Sequence, residues 1–336
     1  MPVTWKRRTF ICWVFLGLLT CPPLLLGEQA EEEARGHFEK GVEFNQQRQF
    51  TEARNEFQQA VSLDLENYKY HQALVLNYIQ TRQGPLALQL YKGLERDHPQ
   101  SAAVHYWYGR VYLESGSLPD AAREFSEAAR LAPQDEHPFV SLGHVYYRMG
   151  KQDEALKAYL RAEALKPGIA SVLAGIGNVY YVRKDYDKAK PAYLKALKID
   201  PTLTDARYNL SLIYKKQGET GKAIEEWKKM LEDDPNESGA REQLARAYFL
   251  GEQYEDAAEQ YYMLSLVRQE SPGVFFALGE SEILWAATTK DAEKKKELLE
   301  EAQGAFQQTL DLDPKNERAR KYLEVLKGGG SPVPKK

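Results

Sequence analysis

The sequence predicts an all-α fold of stacked antiparallel helix pairs, and three observations predict it. Apolar residues recur at helical spacing in short paired segments. In Glu136 to Ile169, Phe139, Leu142, Gly143 and Tyr146 fall at i, i+3, i+4 and i+7, and Ala155, Tyr159 and Ala162 at i, i+4 and i+7. The pattern then returns every 34 residues without slipping: Tyr146 recurs as Phe44, Tyr78, Tyr112, Tyr180, Tyr214 and Tyr248, and Ala155 as Ala53, Ala87, Ala121, Ala189, Ala223 and Ala257. Finally, breakers punctuate it. Gly150 parts the two helices and Pro167 closes the unit, with Pro99, Pro133, Pro201 and Pro235 in the same place.

Two further columns explain the packing. Tyr159 is matched by Phe57, Tyr91, Phe125, Tyr193, Trp227 and Tyr261, and Gly143 by Gly41, Gly109, Gly177, Ser211 and Ala245, with Val75 the bulky exception. Small residues let two helices approach at the near end of the ~8–10 Å interaxial range, and the aromatics fill the space alongside. One pair leaves a face bare, which the next pair covers.

With its small/aromatic/Ala/Pro pattern at this period, the chain resembles the tetratricopeptide repeat family. The resemblance implies a right-handed superhelical solenoid. It covers residues 34–271 as seven units, namely 34–67, 68–101, 102–135, 136–169, 170–203, 204–237 and 238–271. A looser eighth unit spans 272–314: Phe275, Leu278 and Gly279 open it in register, but Ala302, Phe306 and Pro314 arrive 11 residues late, after Trp285 to Glu300. Both of its helices are expected to be extended, with Asp291 as an N-cap, Lys294 to Lys296 as a solvated face and the insert as a possible contact surface. Residues 315–327 read as a capping helix with Ala319 and Tyr322 facing inward, and 328–336 (GGGSPVPKK) as a disordered tail.

Ahead of the repeats, Lys6, Arg7 and Arg8 precede an apolar run from Thr9 to Thr20, so residues 1–30 read as a secretory signal. Two alternatives stay open. Thr9 to Gly27 left in place would form a membrane anchor, and Leu18 to Cys21 resembles a bacterial lipobox with Cys21 acylated. In each case the repeats are expected on the non-cytoplasmic side, periplasmic, secreted or anchored. Glu31 to Arg35 reads as an acidic lead into the first helix. Glycines 116, 150, 218 and 251 read as left-handed C-caps between helices.

Composition narrows the function. A net charge of −4 without a basic block excludes a nucleic-acid binder. Cys12 and Cys21 are the only cysteines and lie in the leader, so the folded region has no thiol chemistry. The sequence carries no triad, metal spacing or phosphate loop, so neither catalysis nor a cofactor is expected. Gly175 to Tyr180 (GIGNVY) begins like a dinucleotide fingerprint but sits inside a repeat helix, and reads as packing. His37, His71 and His105 stand 34 apart, too widely separated in space for one metal.

The family resemblance implies that first helices line a concave surface through places 2, 5, 9, 12 and 13 of each unit. Carried over, these give Tyr106, Arg110, His144, Tyr147, Asn178, Tyr181, Tyr208, Arg246 and Phe249, aromatics beside hydrogen-bond donors. The family's carboxylate clamp is only partly matched, by Asn178 and Arg246, and the asparagine ladder of its glycosyltransferase relatives is absent, Asn209 standing alone. The expected function is an exported scaffold that binds a peptide or protein partner. An alternative is a polysaccharide-binding export factor in which Tyr106, Tyr147, Tyr181 and Tyr208 stack on sugar rings.

Overall fold

The computed structural model describes residues 23–328, with side chains from residue 29 onward. All the described elements are α-helices, and they follow the 34-residue period. The chain divides into two compact units, Met1–Met149 and Gly150–Lys336. In the first, α1 (Pro23–Gln46) packs on α2 (Phe50–Leu63), then α3 (Tyr68–Gln80), α4 (Gly84–Asp97), α5 (Ala102–Glu114), α6 (Leu118–Leu131) and α7 (Glu136–Arg148) follow, each against its predecessor. The second holds α8 (Gln152–Leu165), α9 (Ala170–Val182), α10 (Tyr186–Ile199), α11 (Thr204–Lys216), α12 (Thr220–Asp233), α13 (Ser238–Leu250) and α14 (Tyr254–Val267). The larger pair α15 (Pro272–Thr288) and α16 (Ala292–Leu312) and the final α17 (Glu317–Lys327) complete it.

Close approach fixes each pair. A Cβ built on Gly109 would fall 2.8 Å from the Phe125 ring, one on Gly177 2.7 Å from the Tyr193 ring. Gly175 meets the Tyr159 ring in the same way, so both glycines of the GIGNVY stretch serve helix packing inside α9. Phe125, Tyr193, Trp227 and Phe306 are fully buried. Each removes on the order of 2–3 kcal/mol worth of apolar surface from water.

The eighth pair absorbs its insert as helix: α15 has 17 residues where α13 has 13, and α16 has 21 where α14 has 14. Asp291 caps α16 by accepting from the backbone N–H groups of Glu293 (2.9 Å) and Lys294 (3.1 Å). In α17, Ala319, Leu323 and Leu326 pack inward against Ile283, Ala302 and Phe306.

Three expectations need correction or lie elsewhere. Helix α1 already begins at Pro23, so Glu31 to Glu33 sit inside it and cannot act on its N-terminal dipole. The left-handed residue after the first helix of each pair stands in one column: Arg48, Arg82, Gly116, Gly150, Lys184, Gly218 and Glu252 have φ between 55° and 82°. The last member is therefore Glu252 and not Gly251, whose φ is −85°. The leader up to residue 22 and the tail from residue 329 lie outside the described residues. No helix among the described residues is long and apolar enough to cross a membrane.

A left-handed backbone disfavours any residue with a Cβ by roughly 1–2 kcal/mol. Glu252→Gly is therefore expected to stabilise the second unit by about 1 kcal/mol, and Gly116→Ala to destabilise the first by a similar amount. Urea unfolding followed by circular dichroism checks both signs.

Candidate functional site

In four of the units the fourth place of the repeat is a polar clamp, whereas Phe139 and Leu173 hold it in two others. His71 Nε2–H donates to the Leu65 carbonyl (2.9 Å) in the preceding turn, and its Nδ1 accepts from the Tyr91 hydroxyl (2.8 Å) of the paired helix. His105 bonds the Pro99 carbonyl (3.1 Å) and the Glu124 carboxylate (2.8 Å). Arg207 spans Pro201 (2.6 Å) and Glu226 (2.9 Å), and Arg241 spans Pro235 (2.6 Å) and Gln260 (2.8 Å). Each clamp ties an inter-unit turn to both helices of the next pair. The signal for the clamp in the sequence is the partner 19 or 20 residues on.

The two buried histidines shift in opposite directions because their partners differ. Burial pulls His71 down to about 4, and with a hydroxyl for a partner it stays neutral. Burial also pulls on His105, but its bonds to Glu124 and the Pro99 carbonyl outweigh that and raise it. Glu95 brings a third ligand-type atom within 4.8 Å of His105 and Glu124. The Glu124 carboxylate is already held by His105 and by Arg123 Nε (3.0 Å), a set closed by the chain's own cations.

The first-helix face of the first unit brings Arg110, His144 and Tyr147 together on α5 and α7. Arg110 lies 5.8 Å from the Trp107 ring and 4.0 Å from Glu114, and its Nε is buried without a hydrogen-bond partner. His144 is exposed yet pulled down, by partial desolvation and then by the charges of Arg148 and Arg110. Tyr147 is half-buried. Tyr106 does not join them. It is 5% exposed, stacked on Tyr68 (5.0 Å) and edge-on to Trp107 (5.3 Å), with Phe125 and His137 closing over it. Aromatics at the flanking places of the neighbouring pairs cover it, so it is core and cannot stack on a ligand.

In the second unit, Tyr181, Tyr208 and Phe249 lie half-buried against the core of α10 to α14. Asn178 is committed to that packing: its carbonyl oxygen accepts from the Tyr193 hydroxyl (2.7 Å) and from Asn209 (3.1 Å). Arg246 and Phe249 line a cleft of about 430 Å³ with Glu242, Tyr261, Arg268 and Glu280. Arg268 pairs with Glu242 (2.6 Å), and Glu280 with Arg318 (2.6 Å). Arg246 is exposed and makes no ion pair among the described residues. Nearby Lys215, bonded only to the neutral Gln243 (2.8 Å), is pulled down by burial and then by Arg246 and Lys216. The cleft lining holds two carboxylates and two guanidiniums, and because both carboxylates are paired with other arginines, Arg246 is left as its unpaired cation among the described residues, which the sequence alone did not reveal.

A family profile described as "TPR repeat" matches residues 143–182 and 177–218, and one described as "Tetratricopeptide repeat" matches 72–136 and 208–273, together more than half of the chain. The chain belongs to the tetratricopeptide repeat (TPR) family. No protein of curated function matches it. Among solved structures, the C-terminal part of a TPR repeat-containing protein from Cytophaga hutchinsonii superposes with a TM-score of 0.59 at 19% identity, over 76% of this chain and 98% of that one. Pseudomonas aeruginosa PilF gives 0.55 at 19% identity, over 65% and 99%. YrrB, described as a TPR protein with an unusual peptide-binding site, gives 0.50 at 22% identity, over 60% and 99%. At these identities the likeness is one of fold.

The His71 clamp sets a pH dependence. An imidazole that protonates near 6.5 when unfolded and about 4 when folded contributes stability that is complete above 6.5 and is lost as pH falls toward 4. The loss is expected to reach roughly 3 kcal/mol and to shrink in His71→Asn, as read by thermal unfolding across that window. His105 acts in the opposite sense, its contribution being present below 6.5 and lost as pH rises through its raised value.

Proposed function

We propose that this TPR chain is a non-catalytic scaffold whose first-helix faces hold acidic segments of a protein partner. The observation that carries the reading is the exposed Arg246, unpaired among the described residues, in a cleft walled by Phe249 and Tyr261 and reinforced by Lys215. In the first unit Arg110 and Arg148 place positive charge around His144, although Arg110 is 4.0 Å from Glu114. Rigid aromatics offer contact area at low entropic cost, and an unneutralised guanidinium favours a carboxylate. The peptide-binding site named for YrrB is a property of that protein and lends the reading plausibility by fold alone. The sugar-stacking alternative loses one of its four rings with the burial of Tyr106.

We also propose that the protein is exported, supported by Lys6, Arg7 and Arg8 ahead of the apolar run from Thr9 to Thr20. Mass measurement of the mature protein from its native host is expected to show a chain shortened by the leader. A full-length mass instead supports the retained anchor, and a mass starting at Cys21 with added acyl chains supports the lipoprotein form.

For the groove, arrays of Asp/Glu-rich and Lys-rich peptides provide the test. Acidic peptides are expected to bind, with affinity falling as salt rises, and Arg246→Glu to weaken them about tenfold while the circular dichroism spectrum is unchanged. Equal binding of both peptide classes, or indifference to Arg246→Glu, overturns the reading.

A further inference from the structure

The eighth helix pair breaks one column of the repeat. Where Phe44, Tyr78, Tyr112, Tyr146, Tyr180, Tyr214 and Tyr248 stand, the next place in register holds Glu282. A carboxyl in place of a ring leaves a cleft of about 450 Å³ between α14, α15 and α16. Glu282 lines it, is 6% exposed, and its Oε2 is buried with no hydrogen-bond partner among the described residues. A buried, unpartnered carboxyl is costly, and its persistence calls for a ligand.

The surroundings define that ligand's chemistry. Glu255 and Glu259 from α14 and Glu301 from α16 line the same cleft, against a single cation, Lys294, and Trp285 forms an aromatic wall. Lys294 lies 5.0 Å from the Trp285 ring and pairs with Glu297 (3.0 Å), which leaves Glu282 unpaired. The chain itself shows what this place attracts. Arg54 sits over the Tyr78 ring (5.0 Å) and Lys190 over the Tyr214 ring (4.7 Å), each 24 residues before its aromatic. The residue 24 before Glu282 is Ala258, which also lines the cleft and is too short to reach. Two pairs thus supply their own cation to a ring, whereas the eighth presents a stronger acceptor and supplies none from that place.

We propose that this cleft captures the ammonium group of a lysine side chain presented by a protein partner. The ammonium lies against the Glu282 carboxylate and takes the place of Lys294 at the Trp285 ring, inside the ring of Glu255, Glu259 and Glu301, while the lysine stem runs over Tyr262. An ammonium is a compact charge on a flexible stem that fits between one largely buried carboxylate and an aromatic side chain, where a planar guanidinium needs a wider, bidentate edge. Charge complementarity selects a cation, and Met263, Leu266 and Val267, exposed beside Tyr262 on α14, extend the contact to a polypeptide surface. The site shares no residue with the Arg246 cleft, and it stands or falls separately from the groove reading. Burial, then the charge of Glu301, raises Glu282 to about 8, so an incoming cation displaces its proton and binding tightens as pH rises through that value.

The test follows the Trp285 indole N–H by NMR in the full chain, assigned through Trp285→Phe, with Nα-acetyl-lysine amide as probe. A saturable shift is expected, absent with the Nζ-acetylated probe. Glu282→Gln, which keeps shape and removes the charge, is expected to weaken binding at least about tenfold. Glu282→Tyr restores the column's aromatic and is expected to abolish binding while raising the unfolding temperature, which separates loss of the site from loss of fold. Lys294→Ala is expected to tighten binding. No saturable shift, an equal response to the acetylated probe, or full binding by Glu282→Gln overturns the assignment. A Glu282-dependent shift caused by calcium chloride alone overturns it in favour of a metal site.

Discussion

The close seating of a small residue under an aromatic ring governs the rest of this molecule. Gly109 under Phe125 and Gly177 under Tyr193 set how near two helices come, and a side chain at either place would drive them apart. Because the contact is repeated at one distance, helix lengths and turns are held to one repeat, and every other residue inherits a fixed direction. Aromatic, clamp and turn columns are consequences of that spacing.

Polar clamps join what apolar packing alone would leave slippery. A buried turn carbonyl needs a donor, and His71, His105, Arg207 and Arg241 supply one while reaching a second helix. Imidazole fills this place in the early units and guanidinium in the later ones, while Phe139 and Leu173 between them are apolar, so the donor is a feature of some units and not of the whole column. The identity of the far partner then decides the direction of titration: beside a tyrosine hydroxyl burial leaves His71 pulled down, while a carboxylate raises His105.

Periodic features were legible in the sequence because each is repeated seven times in a row. The helix pairs and the packing role of Gly177 follow from the 34-residue spacing, and that of Gly175 from its place inside a repeat helix. Properties set by unlike neighbours were not. Tyr106 occupies a place that usually faces outward, yet Tyr68 and His137 from adjacent pairs close over it. Asn178 reads as a free side chain until Tyr193 and Asn209 both donate to its oxygen and fix its orientation. The Gly251 error has a similar origin, since a glycine next to the special position draws the eye while Glu252 carries the strain. Glu282 interrupts the aromatic column, but the column says nothing of its surroundings, which the positions of Glu255, Glu259 and Glu301 reveal.

The lengthened pair α15 and α16 keeps a three-residue connection, so all the added chain lies in helix. Relative to α13 and α14, the additions come to about one turn and about two turns at 3.6 residues per turn. Whole turns return every side chain to the azimuth it would have had, so Phe306 still finds Gly279 despite the longer route. Growth of this array is thus quantised: half-turn changes in length would rotate the greasy stripe toward solvent, while full-turn changes only move the hairpin tip outward.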